Sequence, residues 1–206
     1  MCRIYLKRVW CKKVPDKRSS YRRRGRNMER RYSDDILDKA KNIKMLMLDV
    51  DGVLTDGRLI YGNYGDEIKN FNVKDGLGVF LIKKAGLKCV ILTAKASKIV
   101  KRRAKQLKVD KVYQNFHYKN YAFKKAARKF RVDPGEICFV GDDLIDIPVL
   151  KRAGLAVCPP DAAEEVKSLV DLITEKKGGY GAVREVCELI LKAQDKWRSV
   201  TRRYYE

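Results

Sequence analysis

The sequence predicts a three-layer α/β domain built on a parallel sheet, and three observations carry that reading. Short continuous apolar runs recur from residue 33 onward, segments of helical spacing separate them, and turn residues mark the junctions. Ser33 is placed to cap a helix over roughly 34–42, and KMLMLDV at 44–50 reads as a buried strand. Beyond Gly57, the apolar positions Ile60, Tyr61, Ile68, Phe71 and Val73 flank the turn GNYGDE, which is the pattern of a β-hairpin. A helix near 76–85 stops at Gly86, followed by the strand KCVILT at 88–93 and a basic helix near 96–107. The short strand KVYQ, a helix near 119–130 and the turn Pro134-Gly135 precede the strand ICFVG at 137–141. A helix near 144–153, the strand LAVC, a helix near 162–169, the short strand DLIT and a last helix near 182–197 complete the domain.

The chain has 206 residues, room for one ordinary domain, and 45% of them are hydrophobic, which excludes a wholly disordered or fibrous protein. Lys plus Arg number 47 against 26 Asp plus Glu, a net charge of +21. Residues 1–31 alone hold 13 basic and two acidic side chains without any periodicity. Residues 1–32 therefore read as a solvated basic arm and 33–206 as the folded body. Such an arm suits electrostatic contact with nucleic acid, and it suits equally an extension without function or a start assigned upstream of Met28. No apolar run approaches the roughly 20 residues that span a bilayer, and the first 30 lack a signal-peptide core, so a cytoplasmic protein without a membrane partner is expected. Cys2, Cys11, Cys89, Cys138, Cys158 and Cys187 form no C-x-x-C pair, and four of them lie in apolar runs as core residues would. His117 is the only histidine, so no Ser-His or Cys-His nucleophile pair has an obvious base.

In open parallel sheets ligands collect beyond the carboxyl ends of the strands, which directs attention to polar residues that follow apolar runs. MLML ends in Asp49-Val50-Asp51-Gly52, CVIL ends in Thr93, and ICFV ends in Gly141-Asp142-Asp143 with Asp146 one turn later. On extended backbone, Asp49 and Asp51 face the same side and can divide labour, one as nucleophile and the other as proton donor. Adding Asp142 and Asp146 makes an acidic cluster that requires a cation, and an all-oxygen donor set with a phosphate substrate favours Mg²⁺.

The joint pattern resembles the haloacid dehalogenase superfamily of phosphotransferases. Its four motifs read here as DVDGVLTDG at 49–57, Thr93, Lys119 ahead of a helix, and GDDLID at 141–146. The resemblance implies a Rossmann-like parallel sheet in which Asp49 accepts the phosphoryl group and Asp51 protonates the leaving oxygen and then activates water. Thr93 and Lys119 would hold phosphoryl oxygens, with Lys119 preferred over Lys124 and Lys125 for its place at the helix start. Mg²⁺ would be held by Asp49, the Asp51 main-chain carbonyl and Asp142, with Asp143 and Asp146 nearby through water.

Neither interval that carries a cap domain in this superfamily is long enough here, so the fold is expected to be capless with a small hairpin flap. The hairpin running into FNVKDG, the GDDLID segment and GGYGAVREVCELIL at 178–191 narrow the resemblance to the 3-deoxy-D-manno-octulosonate 8-phosphate phosphatase family. It implies a homotetramer whose hairpins meet and whose subunits help to close each site, acting on a phosphorylated sugar acid in lipopolysaccharide biosynthesis. Lys74, Asp75 and Arg103 fall at further family positions near the sugar acid, and Lys95 stands where the family carries Arg, losing a bidentate fork. The GGYG segment is expected to contribute to subunit contact and site closure. The alternatives are a phosphatase for a nine-carbon sialic-type keto-acid phosphate, a nucleic-acid-binding protein using the basic arm, and a silent domain on the same fold.

Overall fold

Helix α1 (Asp34–Asn42) delivers the chain into β1 (Met45–Leu48), every residue of which is buried. A small antiparallel hairpin follows, β2 (Ile60–Tyr61) with β3 (Glu67–Ile68), pairing Ile60 with Ile68 and Tyr61 with Glu67. The chain continues through α2 (Val73–Lys84), β4 (Lys88–Leu92), α3 (Lys98–Gln106), β5 (Lys111–Tyr113) and α4 (Lys119–Phe130). After β6 (Ile137–Val140) come α5 (Ile147–Leu150), β7 (Leu155–Cys158), α6 (Glu164–Lys167), β8 (Leu172–Ile173), α7 (Ala182–Ala193) and α8 (Trp197–Thr201). The structure, a computed structural model, describes residues 31–206, so the expectations for residues 1–30 of the basic arm, Cys2 and Cys11 included, lie outside the described residues; Tyr32, counted with the solvated arm, is buried.

Six strands form one parallel sheet in the order β5-β4-β1-β6-β7-β8. The chain winds outward from β1 to β5, then returns to the other side of β1 and winds outward again. The carboxyl end of β1, flanked by β4 and β6, is thus the switch point where a crevice opens between diverging connections. Both faces of the sheet are covered, which is why its strands are continuously apolar rather than alternating. On one face Met45, Met47, Val90, Leu92, Ile137 and Phe139 pack with Phe123, Ala126 and Leu150 of α4 and α5; α2 packs against α7 and touches β4. Truncating a fully buried member such as Phe139 to Ala would cost about 3–5 kcal/mol. Cys89, Cys138, Cys158 and Cys187 are buried thiols, as their apolar surroundings predict. Among the described residues there is no cap domain, and no helix is long and apolar enough to cross a membrane.

Three local expectations are corrected. Helix α2 begins at Val73 rather than near 76, because the Asn72 side chain caps it by accepting from Lys74 N–H at 2.8 Å. The helix expected over 144–153 is split into a 3₁₀ turn at Leu144–Asp146 and the single turn of α5. The last helix does not run to 197 but ends at Ala193; the Gln194 side-chain amide donates to the Ala40 and Ile43 carbonyls at 3.1 and 2.7 Å, and Asp195 takes a left-handed φ of 54°.

Candidate active site

Asp49 is the first residue past β1, and its N–H still donates to the Val140 carbonyl of β6 at 3.0 Å. The extended backbone assumed for the Asp49–Asp51 pair ends there: N–H groups of Val53, Leu54 and Thr55 all turn back onto the Val50 carbonyl. The two carboxylates consequently take different partners. Asp49 Oδ1 lies 2.8 Å from Lys119 Nζ, whereas Asp51 Oδ1 lies 2.5 Å from Lys69 Nζ.

Gly52 (φ 84°) makes this turn possible, and a Cβ there would fall 1.9 Å from Asp142 Oδ2. The loop is braced from behind by the GGYG segment. Gly179 N–H donates to the Val53 carbonyl at 3.0 Å, and a Cβ on Gly178 would fall 1.7 Å from the Gly52 carbonyl oxygen. These glycines therefore let one backbone press directly on another within a single chain, a role their expected part in subunit contact and closure did not include.

Beyond β6, Gly141-Asp142-Asp143 enters the 3₁₀ turn. Asp146, treated from the sequence as an outlying member, is the innermost acid at 0% exposure. Its Oδ2 accepts from the N–H groups of Asp142 and Asp143 at 3.1 and 3.4 Å, and its Oδ1 lies 2.6 Å from Lys119 Nζ. Asp143 spends its own carboxylate on Leu144 N–H at 2.7 Å. Lys119 opens α4 and is 1% exposed, its ammonium enclosed between Asp49 and Asp146, whereas Lys124 and Lys125 are exposed. Although burial works to lower the pKa of Lys119, the two carboxylates raise it, so the cation is retained.

Thr93 follows β4 and is buried; its N–H donates to the Tyr113 carbonyl at 2.9 Å and its hydroxyl accepts from Lys95 N–H at 3.3 Å. The remaining sequence candidates are not gathered into the carboxylate cluster. Lys74 and Lys95 have exposed side chains. Arg103 leans on the Phe71 ring at 5.6 Å and donates to the Asn72 carbonyl at 3.4 Å. Asp75 is buried with its Oδ1 accepting from Arg184 N–H at 2.7 Å, tying α2 to the start of α7. Lys69 was not singled out from the sequence at all, because a lysine in EIKNF carries no signal that separates it from a surface charge.

The acids here fit a divalent cation. Single oxygens of Asp49, Asp142 and Asp146 lie within 4.8 Å of one another, and Asp142 Oδ1 is buried without a hydrogen-bond partner. Burial, reinforced by the Asp146 charge, raises Asp49 to about 7; burial and the Asp49 and Asp146 charges raise Asp142 to about 8. Such crowding is relieved by a hard cation, and the all-oxygen donor set suits Mg²⁺.

The sequence signature of the haloacid dehalogenase-like hydrolases matches residues 72–154. The 3-deoxy-D-manno-octulosonate 8-phosphate phosphatase KdsC of Escherichia coli K12 is 43% identical over 164 residues, covering 80% of this chain and 87% of that protein. The Yersinia pestis KdsC is 40% identical over 169 residues, 82% of this chain and 90% of its own. The crystal structure of the Moraxella catarrhalis phosphatase of the same name, in complex with magnesium ion, phosphate ion and KDO, superposes with a TM-score of 0.82 at 39% identity, covering 84% of this chain and 99% of that one. Likeness of this depth, spanning nearly the full length of each relative, means that the chain belongs to the 3-deoxy-D-manno-octulosonate 8-phosphate phosphatase family of haloacid dehalogenase-like hydrolases.

Proposed function

We propose that this protein is a Mg²⁺-dependent phosphomonoesterase that hydrolyses 3-deoxy-D-manno-octulosonate 8-phosphate to the free sugar acid and phosphate, in lipopolysaccharide biosynthesis. The observation that carries the reading is the buried Lys119 ammonium between Asp49 and Asp146 at the end of the central strand, beside an unpartnered Asp142 oxygen.

Asp49 attacks phosphorus while the bond to the sugar oxygen breaks, and Asp51 supplies the proton that oxygen needs. Water then attacks the aspartyl-phosphate as Asp51 takes up one of its protons, freeing Asp49 and phosphate. Lys119 and the Thr93 hydroxyl receive phosphoryl oxygens, and Lys119 also offsets the charge of Asp49 as the nucleophile approaches an anion. Asp49, the Asp51 main-chain carbonyl and Asp142 would hold Mg²⁺; Asp146, whose oxygens are engaged with Lys119 and two backbone N–H groups, orients that set. Bound there, the ion supplies positive charge to the phosphoryl oxygens and to the nucleophilic carboxylate.

Lys74, Lys95 and Arg103 are proposed to serve the sugar acid, with Lys95 as a point charge in place of a fork, whereas Asp75, expected with them, is buried on the Arg184 N–H. Among the described residues no lid covers the site, and the hairpin exposes Leu59, Ile60, Tyr61, Tyr64 and Ile68, with Tyr64 at 99%. An apolar flap with open strand edges supports a homotetramer assembled through the hairpins. The proposed compartment is the cytoplasm. Phosphate release measured across eight- and nine-carbon keto-acid phosphates, with Asp49→Asn as control, tests the assignment. Faster turnover of the nine-carbon ester would overturn the substrate, and an active Asp49→Asn the mechanism.

A further inference from the structure

The hairpin that leaves so much apolar surface outside also sends one charged side chain inward. Lys69 directly follows β3, yet its side chain is only 1% exposed. Its Nζ lies 2.5 Å from Asp51 Oδ1 and 3.1 Å from Glu67 Oε1. The other oxygen of Glu67 accepts from the Ser97 hydroxyl at 3.2 Å, and Ser97 caps α3 by accepting from Val100 N–H at 3.4 Å. A continuous polar chain, Asp51–Lys69–Glu67–Ser97, thus joins the loop after β1 to the helix after β4, through the flap. Among the described residues Lys69 is the only donor to the Asp51 carboxylate.

A buried lysine is costly to order and to desolvate, and anchoring a hairpin needs only an apolar residue. What an apolar residue cannot do is hold a carboxylate in one rotamer. Asp51 needs such help, because it sits on a turn rather than a strand and is part-exposed. A proton donor displaced from hydrogen-bond reach of its target is ineffective.

From this chain we infer that Lys69 is a positioning residue that holds Asp51 for proton transfer and so makes the general acid depend on the seating of the hairpin. The inference rests on the role proposed above for Asp51. The ammonium pins the carboxylate from the flap side and keeps it partnered after its proton has passed to the sugar oxygen.

Leaving-group dependence separates this role from mere anchoring. The ratio kcat/KM reports steps up to departure of the leaving group, and p-nitrophenolate departs without a proton whereas a sugar alkoxide does not. Lys69→Met, in the full-length protein with Mg²⁺, is expected to lower kcat/KM for the eight-carbon sugar-acid phosphate about a hundredfold and for p-nitrophenyl phosphate by less than about threefold. Lys69→Arg, which keeps a cation at the same place, is expected to recover the sugar phosphate selectively. Asp51→Asn is the reference and should show the same split between the two esters. If Asp51→Asn separates the esters and Lys69→Met lowers both alike, with no selective recovery in Lys69→Arg, the inference is overturned. If Asp51→Asn itself lowers both alike, the general-acid reading fails instead.

Discussion

Replacing Lys119 by Met removes one buried charge and leaves Asp49, Asp142 and Asp146 facing one another without compensation. At an effective dielectric constant of about 20, attraction across the 2.8 and 2.6 Å contacts is about 6 kcal/mol each. Desolvation of the three groups consumes most of that, so the expected net loss on removing the lysine is about 3–5 kcal/mol. For a domain of this size that corresponds to a fall in Tm of roughly 10 °C. The loss should grow with pH, because without the ammonium the native state retains protons on Asp49 that the unfolded chain releases, and each step up from pH 6 to pH 8 favours unfolding. Scanning calorimetry in EDTA at the two pH values measures this. Added Mg²⁺ should restore much of the stability, since it supplies charge to the same carboxylates, but it should not restore turnover. There kcat/KM is expected to fall by about a thousandfold or more, because the lost donor is the one proposed to meet the phosphoryl oxygens in the transition state. Lys124→Met and Lys125→Met, at exposed positions on the same helix, should do neither. A Lys119→Met protein that melts within about 2 °C of the parent in EDTA at pH 8, or keeps a tenth of its turnover, would refute the reasoning.

Other perturbations probe separate parts of the structure. Gly52→Ala puts a methyl group 1.9 Å from Asp142 Oδ2 at a φ of 84°, so Mg²⁺-dependent turnover should fall about a hundredfold while circular dichroism stays native; full activity would exclude the close approach. Mg²⁺ affinity should rise from pH 6 to pH 8 with release of protons, since Asp49 and Asp142 are raised to about 7 and about 8 and must ionise to bind it; calorimetry in buffers of different ionisation enthalpy reads this, and a pH-independent affinity would contradict it. Burial raises Asp75 to about 6 against the pull of the Arg184 and Gly181 N–H groups. Its proton is therefore favoured in the native state, and stability present below about pH 4 is lost as the pH climbs to about 6, by about 3 kcal/mol. Asp75→Asn should flatten Tm against pH in that window, and parallel curves would reject the cause. Ile60→Lys with Ile68→Lys should lower the solution mass measured by light scattering, and an unchanged mass would remove the hairpin from the assembly.

Most of the fold was legible because it rests on local pattern. Runs such as MLML, CVIL and ICFV are apolar at every position only because helices cover both faces of the sheet, and their order along the chain implied a parallel arrangement. Helix limits were less legible where a tertiary partner sits at the end: the Gln194 N–H closes the last helical turn on the Ile190 carbonyl while its side-chain amide is held by two carbonyls at 3.1 and 2.7 Å that lie some 150 residues away in sequence. The acids at the strand ends were visible as residue types in sequence order. Their partners were not, since the pairing of Asp49 with Lys119 and of Asp51 with Lys69 depends on where the strand stops and the turn begins.

By itself the sequence determined which residues could do chemistry, because strand-end carboxylates, a threonine and a helix-start lysine are identifiable from type and order alone. Only the tertiary structure decided which of them share an electrostatic environment. Burial and distances of 2.5–2.8 Å make Asp146 the inner counter-charge of Lys119 and draw Lys69 from the hairpin onto Asp51. Charge interactions fall off with separation in space and strengthen as water is excluded, and neither quantity is written in spacing along the chain.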